Sequence, residues 1–253
     1  VDELRWSVAD RIATLTIDRP ARRNAMSYRM WSVLPGLLAE VAATDARVLV
    51  VRGTEHFSSG ADISEFATLR SGPDGARRYS DAVHAGERAI AECPLPTVAA
   101  ITGFCVGGGC EMALACDIRV AADDARFGIT PAKLGIVYDF TSTRQLVAAV
   151  GPAWAKQILF SGDLIDAPTA LRIGLVNEIH PTADLPDRVA DLAGTIASRA
   201  SVSVHGAKQI VNRVTAGQVT EDDEVHALYD VAVRSDEYAE GVAAFLAKRA
   251  PNF

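Results

Sequence analysis

Three consecutive glycines, Gly107-Gly108-Gly109, separate an apolar run ending at Val106 from the small-residue stretch Cys110 to Ala115. Few features constrain a chain as tightly. Positions without side chains let a ligand touch bare main chain, and a helix opening there aims unpaired N–H groups at negative charge. A second glycine turn, Phe57-Ser-Ser-Gly-Ala-Asp-Ile63, follows the apolar segment Val48-Leu-Val-Val51. Together the two turns can offer two backbone donors to one oxygen, the outline of an oxyanion site. The run Gly103 to Glu111 lies deep in the chain, without the GxGxxG order of a dinucleotide fold and without the Gly-Lys-Ser/Thr of a P-loop. A tight turn with close helix packing also explains an isolated glycine run, but that alternative loses ground once the second loop is counted.

Strand and helix signals alternate through the first two-thirds, which predicts an α/β layered domain. Alternation over Arg11 to Ile17 reads as a half-buried strand, and Val48 to Val51 and Thr97 to Ile101 read as strands buried on both faces. Further strands are expected at Ile118 to Ala122 and Leu175 to Ile179. Ser27 is placed to cap a helix whose stripe includes Met30, Leu34, Leu38 and Val41, with Pro35 as a candidate kink. A helix is expected over 76–92, and Asp166 is placed to cap a short one with Pro168 in its first turn and Gly174 beyond its end. Past residue 182 helices take over. Leu185, Val189, Leu192, Ala193 and Ile196 form one stripe, Thr220-x-x-Asp223 opens another helix, and Val242, Phe245 and Leu246 line a third.

Composition excludes several function classes. At 253 residues and 49% hydrophobic content the chain can bury a large core, and 25 basic against 32 acidic residues give a net charge of −7. That balance argues against a nucleic-acid surface. No apolar run approaches a bilayer span and the first residues lack a signal-peptide pattern, so a soluble cytoplasmic protein is expected, with no membrane partner. Cys93, Cys105, Cys110 and Cys116 lack CxxC spacing and sit in apolar segments, as buried small hydrophobes do. His56, His84, His180, His205 and His226 form no HxxxH pair, so no metal site is expected.

Arg23-Asn-Ala-Met26, Phe57 to Ile63, Gly103 to Glu111 with Cys116-Asp-Ile-Arg119, and Phe245-Leu-Ala-Lys-Arg249 occur in the order seen in the crotonase superfamily, the enoyl-CoA hydratase/isomerase family, which the chain resembles over nearly its whole length. The resemblance implies an α/β fold with a ββα spiral core over 1–182. A C-terminal helical region over 183–253 would pack on the core and on neighbouring subunits in a homotrimer or a dimer of trimers. The implied ligand is an acyl-CoA thioester, with no cofactor beyond the CoA that the substrate carries. The oxyanion donors would be the backbone amides of Ala61 and Gly108, each worth on the order of 3 kcal/mol in comparable sites. By the same resemblance Arg22, Arg23, Ala61, Asp62, Ile63, Tyr229, Phe245 and Lys248 contact CoA, Lys248 across a subunit boundary; Tyr229 and Phe245 serve equally well as helix-packing aromatics.

The resemblance also frames the reaction. Family hydratases use two glutamates. Glu111 fills the first position and the second falls on Pro131, which has no proton to exchange. Thr130 to Tyr138 and the ending Ser235 to Phe253 look like the methylmalonyl-CoA decarboxylase branch, so decarboxylation of a 2-carboxyacyl-CoA is the first expectation. Thr130 and Tyr138 would then orient the leaving carboxylate, with Glu111 as a positioning residue. Ala61 stands where that branch carries histidine. Asp139 resembles a position used by dienoyl-CoA isomerases, and as a capping residue it has a bland explanation as well. Hydration or isomerisation with Glu111 and Asp139 is the second expectation, and a non-catalytic acyl-CoA-binding member the third.

Overall fold

Side chains along the central strands divide between two apolar layers. Leu49, Val51, Ala99, Ile101 and Ala121 face one layer, while Val48, Val50, Val98, Val120 and Ala122 face the other. This alternation is what a sheet covered on both faces requires. The strands belong to a computed structural model that describes residues 2–253. Its larger sheet contains β1 (Leu4–Ala9), β2 (Ile12–Ile17), β3 (Val48–Gly53), β4 (Thr97–Ile101), β6 (Ile118–Ala122) and β9 (Glu178–His180), in that order. The β1–β2 pair is antiparallel and every later pair parallel. A smaller sheet joins β5 (Phe104–Val106), β7 (Arg126–Gly128) and β8 (Ile165–Asp166).

The chain climbs as a spiral. Each turn places one strand in the large sheet, the next in the small sheet and then a helix: β4, β5, α4 (Gly108–Ala115), then β6, β7, α5 (Phe140–Ser161). The turn before them follows β3 with Ser58, which bridges to Cys105 of β5, and then α2 (Phe66–Leu69) and α3 (Gly72–Ala91). This is the ββα arrangement the resemblance implies.

α1 (Tyr28–Ala42) and α3 pack together over the layer that holds Leu49 and Val51. Ser27 caps α1, its hydroxyl accepting from the Met30 amide at 3.2 Å. The helix runs through Pro35 without interruption. Trp31, Leu34, Leu38 and Val41 bury the stripe beside it, and that tertiary burial outweighs one lost backbone bond. The real break lies in α5, where Gly151 at φ 74° precedes Pro152. The short α6 (Ala167–Arg172) is capped by Asp166, as expected from sequence.

α7 (Leu185–Ala197) covers the second face of the large sheet through Leu185, Val189, Ala193 and Ala197. α8 (Ser201–Thr215), α9 (Asp223–Val233) and α10 (Asp236–Leu246) follow. Two expectations need correction. Leu175 and Val176 are buried but not in a strand, because their amides turn back to the Ala170 carbonyl at the end of α6 and β9 starts only at Glu178. The cap of α9 is Asp222, which accepts from the Val225 amide, not Thr220. All four cysteines are buried and free. No helix among the described residues is long and apolar enough to cross a membrane.

Candidate active site

The two glycine turns meet. Met26 forms a bridge with Ala61, and its amide donates to Gly60 while its carbonyl accepts from Asp62, which pins the first turn. The second turn is held by the Gly107 amide donating to Gly128 on β7. A Cβ on Gly60, whose φ is +93°, would lie 2.6 Å from the Val106 carbonyl and 3.0 Å from the Gly108 nitrogen. One on Gly109 would lie 2.4 Å from the Ser58 carbonyl on the first loop. The approach therefore demands missing side chains on both loops. Among the described residues, the amides of Ala61 and Gly108 donate to no protein acceptor. They border the same cavity, Gly108 opening α4, so two unpaired main-chain donors are available there to a negatively charged oxygen.

The cavity, about 150 Å³, runs from these amides to Thr130, Pro131, Tyr138 and Asp139. Glu111, one turn into α4, lines its wall. Asp139 caps α5, accepting from the Ser142 amide at 2.9 Å, and lies 3.5 Å from His84 Nε2. Capping and cavity lining therefore coexist in one residue. The Tyr138 hydroxyl is buried beside Glu111 without a partner of good geometry, and burial holds its proton on well above the usual range. The site thus collects Ala61, Gly108, Glu111, Thr130, Tyr138 and Asp139.

The residues expected to contact CoA divide into groups. Ala61 and Ile63 line the cavity. Asp62 does not: it is 6% exposed, pairs with Arg19 at 2.7 Å and accepts from the Ser64 amide. Against the opposing effect of burial, those hydrogen bonds from Ser64 and Arg19 hold its carboxyl below the ordinary range. Arg22 and Arg23 are exposed and do not line the cavity, but their carbonyls accept from Ser59, which does, and the Arg23 guanidinium stacks over Phe104 at 5.3 Å. Tyr229, Phe245 and Lys248 are not brought to the cavity within one chain. Tyr229 bonds Glu221, Phe245 lines a separate groove with Phe253, and Lys248 lies beyond α10.

Four cavity or near-cavity residues escape motif reading: Arg70, Tyr79, His84 and Glu87. Arg70 stacks over Phe66 at 4.5 Å and Tyr79 at 5.6 Å. Glu87 is 1% exposed and takes the Ser142 hydroxyl at 3.1 Å, its other side within hydrogen-bonding reach of Glu111. Its signal was available, since Glu87 falls on the stripe Tyr79, Val83, Ile90 where a charged residue has no solvent. Burial first, then the neighbouring Glu111 charge, raises the Glu87 carboxyl; burial first, then Asp139, raises that of Glu111. His84, Glu87 and Asp139 offer ligand atoms within 4.8 Å of one another. Ser142 donates to Asp139 through its amide and to Glu87 through its hydroxyl, and His84 pairs with Asp139 at 3.5 Å.

A family model described as enoyl-CoA hydratase/isomerase matches residues 8–253. A crotonyl-CoA hydratase of Syntrophomonas wolfei is 33% identical over 251 residues, covering 96% of this chain and 95% of the relative. A 2,3-dehydroadipyl-CoA hydratase of Escherichia coli is 31% identical, covering 100% and 99%. The crystal structure of an enoyl-CoA hydratase/carnithine racemase from Magnetospirillum magneticum superposes with a TM-score of 0.95 at 34% identity, over 100% of this chain and 96% of that one. The two main-chain donors thus sit in a shared scaffold, and the chain belongs to the enoyl-CoA hydratase/isomerase family.

Proposed function

We propose that this chain moves protons at the thioester-activated carbons of a 2-enoyl-CoA, with hydration of the double bond as its principal reaction. The observation that carries this reading is the pair of carboxyl groups, Glu111 and Asp139, lining a cavity that two free amides also border. In the forward direction Glu111 removes a proton from water as its oxygen bonds to C3. The π electrons move to the thioester oxygen, which the Ala61 and Gly108 amides hold as an enolate. C2 then takes a proton from the His84–Asp139 pair, and proton exchange between the two carboxyl groups resets the site.

Decarboxylation of a substrate such as methylmalonyl-CoA would use the same amides, with Thr130 and Tyr138, which line the cavity, orienting the leaving carboxylate. Two considerations favour proton chemistry over it. A 2-carboxylate would enter beside Glu111 and Asp139, a like-charge placement, and the relatives named above are hydratases. A non-catalytic role leaves the ionisable groups without a purpose.

The deciding experiment offers the purified protein crotonyl-CoA, a dienoyl-CoA and methylmalonyl-CoA. Crotonyl-CoA should lose its conjugated absorbance, and Glu111→Gln should lower kcat by about 10²-fold or more. Asp139→Asn should reduce it as well, which a decarboxylase would not show. Propionyl-CoA formed without enoyl turnover would replace this reading with decarboxylation, and binding without any product would leave a non-catalytic protein.

A further inference from the structure

The reaction just described leaves Glu87 without a chemical task, yet the residue is only 1% exposed. It rises from α3 without lining the cavity, and the Ser142 hydroxyl donates to both its oxygens, at 3.1 and 3.3 Å. The facing ionisable groups are Glu111 and Cys110 from α4, Tyr138 and Asp139 from the segment entering α5, and His84 from its own helix. Two carboxyl groups in contact away from water cannot both ionise; one keeps a proton and donates it to the other. Glu111 borders the cavity, where substrate or water can meet it, whereas Glu87 has one neutral donor and no cavity surface. The proton belongs on Glu87.

We propose that Glu87 is a positioning residue whose acid hydrogen is shared with Glu111, aiming the ionised Glu111 carboxylate into the cavity as a working base. The role of Glu111 as base rests on the proposed enoyl-CoA chemistry; the shared proton does not. The pKa directions agree with the geometry. Burial first and the Glu111 charge next raise Glu87, while the hydrogen bond from Glu87 offsets part of the rise that burial imposes on Glu111. Asp139 adds a further like charge, tempered by its His84 partner.

Infrared spectroscopy of the unliganded protein at neutral pH tests the proton directly. A carboxylic-acid carbonyl band should be present in the wild type and absent from Glu87→Gln. Stability supplies a second readout. A carboxyl raised in the folded state contributes stability that is lost as pH rises, because the unfolded chain has already released that proton. Glu87→Gln should therefore gain thermal stability relative to wild type as pH rises from about 5 to 8. In turnover, Gln still donates to Glu111, so kcat should stay within about threefold and the acid limb of kcat/KM should not move. Glu87→Met removes the donor and should move that limb up by about one pH unit. No band lost on Glu87→Gln, or an acid limb that moves equally in Gln and Met, overturns the proposal. A missing band beside normal enoyl turnover overturns only the shared proton. A band without turnover upholds the shared proton and removes the base role of Glu111.

Discussion

At the scale of single residues, the site depends on positions defined by what they lack. Gly60 shows the reason: an added methyl group would meet the Val106 carbonyl at 2.6 Å, at a φ of +93° that side chains rarely adopt. Gly60→Ala should therefore cost roughly 1–3 kcal/mol of stability. It should also push the Gly108 amide out of place, lowering kcat about 10²-fold with little change in KM. Unfolding curves and initial rates check both, and a variant that melts and turns over like wild type would show that the loops yield. The glycine turns and Glu111 were legible in sequence because missing side chains and motif order are visible there. His84 was not, and the apolar stripe that marks Glu87 as enclosed does not reveal Glu111 and Ser142, which it meets only when α3, α4 and α5 assemble.

At the scale of elements, the central strands and α1, α3, α6 and α7 were legible from periodicity and caps. Where sequence misled, a local signal was overridden by packing. Leu175 and Val176 read as strand because they are apolar, but they turn with the end of α6; Pro35 reads as a break, but the helix stripe holds it. The last strand is tied to α7 by Glu178, which takes Arg188 through two contacts of 2.7 Å and His180 at 2.8 Å. The Arg188 hydrogen bonds hold its carboxyl down at about 2. A carboxyl lowered in the folded state adds stability above its unfolded pKa, and that contribution disappears as pH falls through the folded value. Glu178→Gln should accordingly lower Tm by roughly 1–3 °C at pH 7, a difference that shrinks to nothing near pH 2. Equal melting at both pH values would show the clasp to be ornamental.

At the scale of the molecule, α10 leaves an apolar face uncovered. Phe245 is 82% and Leu246 76% exposed, with Val242 one turn back on the same side. A surface of this kind on a folded chain marks association. With the resemblance that implied a trimer, we propose that copies of this chain assemble through these helices, which would bring Phe245 and Lys248 toward a neighbour's cavity. Sedimentation should show a trimer or a multiple of it, and Phe245→Glu with Leu246→Glu should yield smaller species that keep their helical spectrum. A wild-type protein that sediments as a monomer would refute assembly by this route.

Asp139 both begins α5 and lines the cavity, so in the proposed reaction chemistry and architecture draw on one carboxyl group. Asparagine begins helices as well as aspartate does, and a single-base codon change separates the two. A lineage released from selection on turnover can drift through that change without losing its shape, so the reaction is mutationally fragile where the scaffold is robust. Descendants that kept the body and abandoned the catalysis should carry that amide as a scar.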